Sequence, residues 1–195
     1  MRYLNVLIVA AMAAAAPVAA QSVTGVSTTD QAGVTTTAFT VTPQSNVSAS
    51  DYVKWSADAL NYRIAASTLA LRKAQRDDMK AFARADLEAA KTQQDALYAA
   101  LSNKDRKIAK PSNALSSTNA ASLQLLKKAP SSSFDSLYLT QQADAAPSAW
   151  AIQKGYADDG ADPVLRQVAT TYVPSIEREY TSAKGLMPAS LATVR

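Results

Sequence analysis

DYVKWSADALNYRIAASTLAL, residues 51–71, carries the apolar spacing that decides the fold. Val53, Ala57, Leu60, Ile64 and Leu71 recur at threes and fours, while Trp55, Ala59, Tyr62, Ala66 and Leu69 trace an adjoining stripe. Two neighbouring apolar stripes at helical period suit a helix packed against two others in a bundle. Ser50 or Asp51 is its expected cap. Arg72 and Lys73 before a polar break, with Asp77 and Asp78 after it, place cations at one helix end and acids at the next helix start, as the helix dipole favours.

Working toward the C-terminus, a second helix is expected from Asp77 to Ser102, burying Met79, Phe82, Ala83, Leu87, Ala90, Leu97 and Leu101. So short a connection implies an antiparallel hairpin. Residues 103–116 read as a loop. A third helix spans Ser117 to Ala129 and is stopped by Pro130. A fourth starts at Ser131 or Ser132, runs through Phe134, Tyr138, Gln141 and Ile152, is expected to kink at Pro147, and ends in the turn Asp158-Asp159-Gly160-Ala161. Asp162 before Pro163 is a strong helix start. The last helix then runs to Lys184, with a bend expected at Pro174 and Gly185 as its stop. The expectation for residues 51–185 is an all-α domain, an antiparallel bundle of four to five helices, followed by a flexible tail over 186–195.

Toward the N-terminus the composition changes. Of residues 21–50, 13 of 30 are Ser or Thr and Asp30 is the single charge, which reads as a flexible tether, with a short surface strand as the alternative. The triplet Asn46-Val47-Ser48 matches a glycosylation acceptor, a pattern common by chance. Residues 1–20, MRYLNVLIVAAMAAAAPVAA, have Arg2, an apolar run from Leu4 to Ala16 and small residues at the end, the layout of a secretory signal cut between Ala20 and Gln21. Its removal leaves 19 basic and 16 acidic side chains, a formal +3, too mild and too dispersed for a nucleic-acid binder.

The chain has neither histidine nor cysteine. The usual general base at neutral pH, the readiest nucleophile and the disulfide are therefore all missing. No Ser-x-x-Lys motif opens a helix, so a serine-lysine hydrolase is disfavoured. With three glutamates, Glu88, Glu177 and Glu179, and no histidine, the Glu-x-x-His di-metal motif cannot form. A carboxylate-only metal site from Asp58, Asp86, Glu88 and Asp144 is conceivable, with Asp58 and Asp144 facing one interior. The plainer reading has these acids solvated or paired with Arg63 and Arg84. Asp158, Asp159 and Asp162 around Gly160 resemble a calcium loop only faintly and read as an interhelix turn and cap. Trp55, Tyr62, Trp150, Tyr156, Tyr172 and Tyr180 read as core or seam residues, or as walls of a groove between helices. Lys104, Arg106, Lys107 and Lys110 form a basic loop, either solvated or facing envelope polyanions.

Four stretches, SDYVKWSADAL, MKAFARADLEAAK, FDSLYLTQQADA and DPVLRQVATTYVPSIEREY, resemble in order and spacing the domain-of-unknown-function family 4142, over roughly residues 50–184. The resemblance implies a ferritin-like bundle exported to a Gram-negative periplasm or outer envelope, and no established activity. It also implies histidines in relatives where this chain has Ala90 and Ala146, and near Glu179 or Tyr180. The expectation is an exported, non-catalytic envelope protein with a binding or stress-associated structural role and no cofactor. A carboxylate-only metal bundle is the first alternative, and a binder of polyanions through the basic loop, or of another envelope protein, is the second.

Overall fold

Ser48 starts the bundle: its Oγ accepts from Asp51 N at 3.1 Å, and helix α1 (Ala49–Lys73) follows. The cap lies upstream of the expected Ser50 or Asp51, because Ser48 keeps the extended backbone that leaves its side chain free to turn back onto the first amides. The computed structural model describes residues 39–102 and 107–188. Over them the chain continues as α2 (Asp77–Leu101), α3 (Ser117–Lys128), α4 (Ser131–Asp159) and α5 (Pro163–Leu186), with no strand among the described residues.

The long helices pack as two hairpins, α1 with α2 and α4 with α5, and the hairpins meet where α1 lies on α4 and α2 on α5. Short α3 rests across α1 and α4. Connections of three residues at 74–76 and 160–162 force antiparallel neighbours. Asp162 caps α5 by accepting from Val164 N and Leu165 N at 2.9 and 3.0 Å, with Pro163 in the first turn. The first hairpin turn is pinned from outside itself, since Gln75 N and Arg76 N both donate to the Asp135 carboxylate on α4. Lys73 Nζ reaches the carbonyls of Lys127 and Ala129, where α3 ends.

Two apolar clusters fill the bundle ends. One gathers Met79, Leu126, Phe134, Tyr138 and Leu139; the other gathers Tyr52, Val53, Leu97, Tyr156 and Leu165, with Tyr52 and Tyr156 stacked at 4.1 Å between ring centroids. α4 and α5 remain helical through Pro147 and Pro174. Gly185 does not stop α5, which extends to Leu186 and leaves through an extended Met187, so no left-handed residue is required there. Leu186 and Met187 pack on the core, and the chain is anchored two residues into the stretch expected as a flexible tail.

The end of the expected tether is likewise bound. Phe39 is 5% exposed and sits against Trp150 and Tyr180, with ring centroids 5.6 and 4.7 Å away, and Val47 is buried beside α1. Gln44 N donates to Ala151 O at 2.9 Å, and the Gln44 backbone lies so close to α4 that a Cβ on Gly155 would fall 2.0 Å from its carbonyl oxygen. Asn46 takes a positive φ of 57°, and its amide donates to Asp159 Oδ2. Residues 39–48 are thus a docked strap, neither tether nor strand, because burying Phe39 and Val47 stabilises by roughly 1.5–3 kcal/mol per side chain. Residues 1–38, 103–106 and 189–195 lie outside the described residues, and with them the expected signal, most of the tether and the rest of the tail.

Candidate functional site

Between the two apolar clusters, midway along the bundle, lies a buried polar belt centred on Arg63 of α1. Its Nε and Nη2 donate to Asp86 Oδ1 on α2 at 3.1 and 2.5 Å. Nη2 also lies 2.5 Å from Glu179 Oε2 on α5, and Nη1 donates to Gln93 Oε1 at 3.1 Å. The other oxygen of Asp86 accepts from Ser67 Oγ at 2.5 Å, and Ser67 in turn meets the Tyr138 hydroxyl of α4 at 2.9 Å. Gln93 Nε2 donates to Ser175 Oγ and Ser175 Oγ to Glu179 Oε1, closing a circuit that touches all four long helices.

Burial works against the Arg63 charge, yet the two carboxylates outweigh it and hold the guanidinium above its ordinary pKa. Burial raises the Glu179 carboxyl, with Arg63 opposing and Asp86 adding to the rise. The Tyr138 and Tyr62 phenols are raised first by burial and further by Asp86. Every charge in the belt is met by a partner, as groups in a low-dielectric interior must be.

Above the belt a cavity of about 560 Å³ opens between α1, α3, α4 and α5, with Arg63, Asp86 and Glu179 on its lining. Trp55, Tyr62, Phe82 and Tyr180 give it aromatic walls. Asn119, Gln141 and Gln142 add polar groups, and Gln44 of the strap reaches it too. Tyr62 donates to Gln141 Oε1 at 2.7 Å, and Gln141 donates to Ser122 O, so this wall is held by α1, α4 and α3 together. Gln142 is 8% exposed, and its amide nitrogen has no hydrogen-bond partner.

The four carboxylates considered for a metal site are used separately. Asp86 is committed to Arg63 and Ser67. Asp58 accepts from Ser116 N at 2.7 Å and Asn119 Nδ2 at 2.8 Å, fastening the start of α3 to α1. Glu88 is exposed on α2. Asp144 is exposed on α4 and, with Asp58 and Asp86, lines the cavity. Among the described residues no group of three or more Asp or Glu is placed to hold a metal ion. The reason is local: Arg63 draws Asp86 away and the α3 cap draws Asp58.

Of the basic loop, Lys104 and Arg106 lie outside the described residues. Lys107 and Lys110 are exposed, and the Lys110 ammonium sits 4.1 Å from the Tyr98 ring centroid. Asp159 holds the strap, Asp158 pairs with Lys154 and Asp162 caps α5, so the Asp158-Asp159-Asp162 cluster is divided among three structural tasks. Of the positions marked by the family resemblance, Ala90 is enclosed in the core, while Ala146, Glu179 and Tyr180 line the cavity. Trp150 and Tyr156 are core residues, with Trp150 Nε1 donating to Glu177. Tyr172 bridges α5 to the Thr92 carbonyl at 3.3 Å.

Sequence reasoning named Arg63 only as a partner for nearby acids and missed Ser67, Gln93, Tyr138, Gln142 and Ser175 as a connected set. The available signal was an arginine adjoining the apolar stripe, at Leu60-Asn61-Tyr62-Arg63-Ile64, where a charge has to be compensated.

A family model described as a domain of unknown function, DUF4142, matches residues 34–186. No curated protein and no solved structure matches the chain.

Proposed function

Since the chain belongs to the DUF4142 family, whose description assigns no activity, we propose that it is an exported cell-envelope bundle with a non-catalytic binding role, exercised in the cavity above the Arg63 belt. The observation that carries this reading is the cavity itself. Its volume of about 560 Å³ falls in the range of small-molecule sites, and its lining combines aromatic walls with a few convergent polar groups. The Arg63 belt favours recognition over chemistry, because the Asp86 oxygens and the guanidinium are all engaged within the protein.

Export, to the periplasm or the outer-membrane surface of a Gram-negative cell, rests on the signal-like layout of residues 1–20 and on the family resemblance. Among the described residues no helix is long and apolar enough to cross a membrane.

Two measurements test the reading. Fractionation of a Gram-negative host expressing the tagged full chain should recover it from the envelope with Gln21 as its first residue; an uncut chain in the cytoplasm overturns export. Titration with the neutral fluorophore N-phenyl-1-naphthylamine should give saturable binding that Ala59→Phe, which fills the cavity from α1, abolishes. Binding unchanged by that substitution overturns the cavity.

A further inference from the structure

Resting on that cavity reading, we infer that its ligand is an elongated, mainly apolar molecule with a hydrogen-bond acceptor oxygen at one end, and that the Gln142 amide donates to that oxygen. Gln142 lines the cavity and is only 8% exposed, and among the described residues its amide nitrogen has no hydrogen-bond partner. Buried donors are nearly always satisfied, because an unmet one keeps the cost of its lost hydration. A donor left open on a cavity wall is completed by an acceptor that arrives from outside the chain.

The helix that carries Gln142 sets the rest of the ligand. Gln142, Ala145, Ala149 and Ile152 follow one another at threes and fours on α4 and all line the cavity. Gln142 lies one turn beyond Tyr138, the contact of the belt on this helix, while Ile152 packs with Trp55 against the opposite apolar cluster. The strip therefore runs from one donor, past two alanines whose small side chains leave space, to an apolar end. Its ten-residue length is about 15 Å at the helical rise, enough for a molecule of two or three fused rings.

Polarity along this strip also fixes the orientation, with the acceptor at the Gln142 end and the apolar body against the alanines and Ile152. A hydrocarbon of the same shape would fill the space and leave the Gln142 donor unmet. A ligand whose polar end only donates would set one N–H or O–H against another.

Equilibrium dialysis of the full chain with two isosteric probes tests this. 2-Acetylnaphthalene carries a carbonyl where 2-isopropenylnaphthalene carries a methylene group, so the pair differs in the acceptor alone. The ketone should bind at least about fivefold tighter, the worth of one hydrogen bond to an otherwise unmet donor. Gln142→Leu should bring the ketone down to the affinity of the alkene and leave the alkene unchanged. Without ligand, Gln142→Leu should unfold at the same temperature as the parent or higher, since no bond within the protein is lost; a lower temperature shows that the nitrogen has a partner in the folded chain and overturns the assignment. Equal binding of the two probes to the parent means that solvent already meets Gln142, and overturns the acceptor while the cavity reading stands. A preference that survives Gln142→Leu overturns it too. If neither probe binds the parent and N-phenyl-1-naphthylamine also fails, the cavity reading falls as well.

Discussion

Arg63 of α1 and Asp86 of α2 form the central ion pair of the bundle, with Nη2 and Oδ1 2.5 Å apart and the Asp86 side chain only 2% exposed. The pair sits between the two apolar clusters, where neither member could be charged alone. Its worth lies in mutual dependence: removing one partner leaves the other as an uncompensated interior charge. Asp86→Ala is therefore expected to lower unfolding free energy by about 3 kcal/mol, near the lower end of the range for broken buried pairs because Glu179 still faces Arg63. Urea denaturation measures it, and a loss below about 1 kcal/mol would show that the pair is not buried in solution.

Glu179 makes stability depend on pH in an unusual direction. Burial raises its folded-state pKa above the ordinary glutamate value, so the folded chain binds this proton more tightly than the unfolded chain does. Between the ordinary value and the raised one, stability contributed by the protonated carboxyl is lost as pH rises. In Glu179→Gln that dependence disappears. The difference in unfolding free energy between the parent and Glu179→Gln should therefore fall, in the parent's disfavour, from about pH 4 upward. A difference that grows with pH in the parent's favour contradicts the assignment.

Gly155 is where the strap meets α4. With the Gln44 carbonyl 2.0 Å from the place of a Cβ, Gly155→Ala must displace residues 43–45 while leaving an alanine that the helix itself prefers. Hydrogen exchange should show faster exchange of the Gln44 amide, which donates to Ala151 O, and unchanged protection in α1 and α2. If Gln44 stays protected, the close approach is not maintained in solution.

Asp58 holds α3 on the bundle by accepting from Ser116 N and Asn119 Nδ2. Asp58→Ala is expected to cost about 1 kcal/mol, the usual value of a lost helix-start acceptor. Exchange should rise first at the amides of α3, with α4 and α5 unaffected. Global destabilisation without that local signature would place the role of Asp58 elsewhere.

Legibility differed between fold and site for a physical reason. The stripes from Val53 to Leu71, the break at Gln75-Arg76 and the Asp162-Pro163 start report helices directly, because helical period and capping are properties of neighbours in sequence. Gly185 misled for the converse reason: it offers a left-handed stop, and nothing local reveals that the chain will leave through Met187 instead. Phe39 misled because its polar surroundings suggest a tether, while its burial depends on Trp150 and Tyr180, more than a hundred residues away.

The missing histidine and cysteine, the helical period and the family are all written in the residue order, and so is the list of carboxylates and cations from which any site must be built. Which carboxylate meets which partner is not. Asp86 joins Arg63 across 23 positions and Glu179 joins it from α5, Asp58 turns to α3, and the Gln142 amide nitrogen is left without a partner beside a cavity. Helices form from contacts three and four residues apart, whereas compensation of a buried charge is settled only when distant helices close on one another and exclude water.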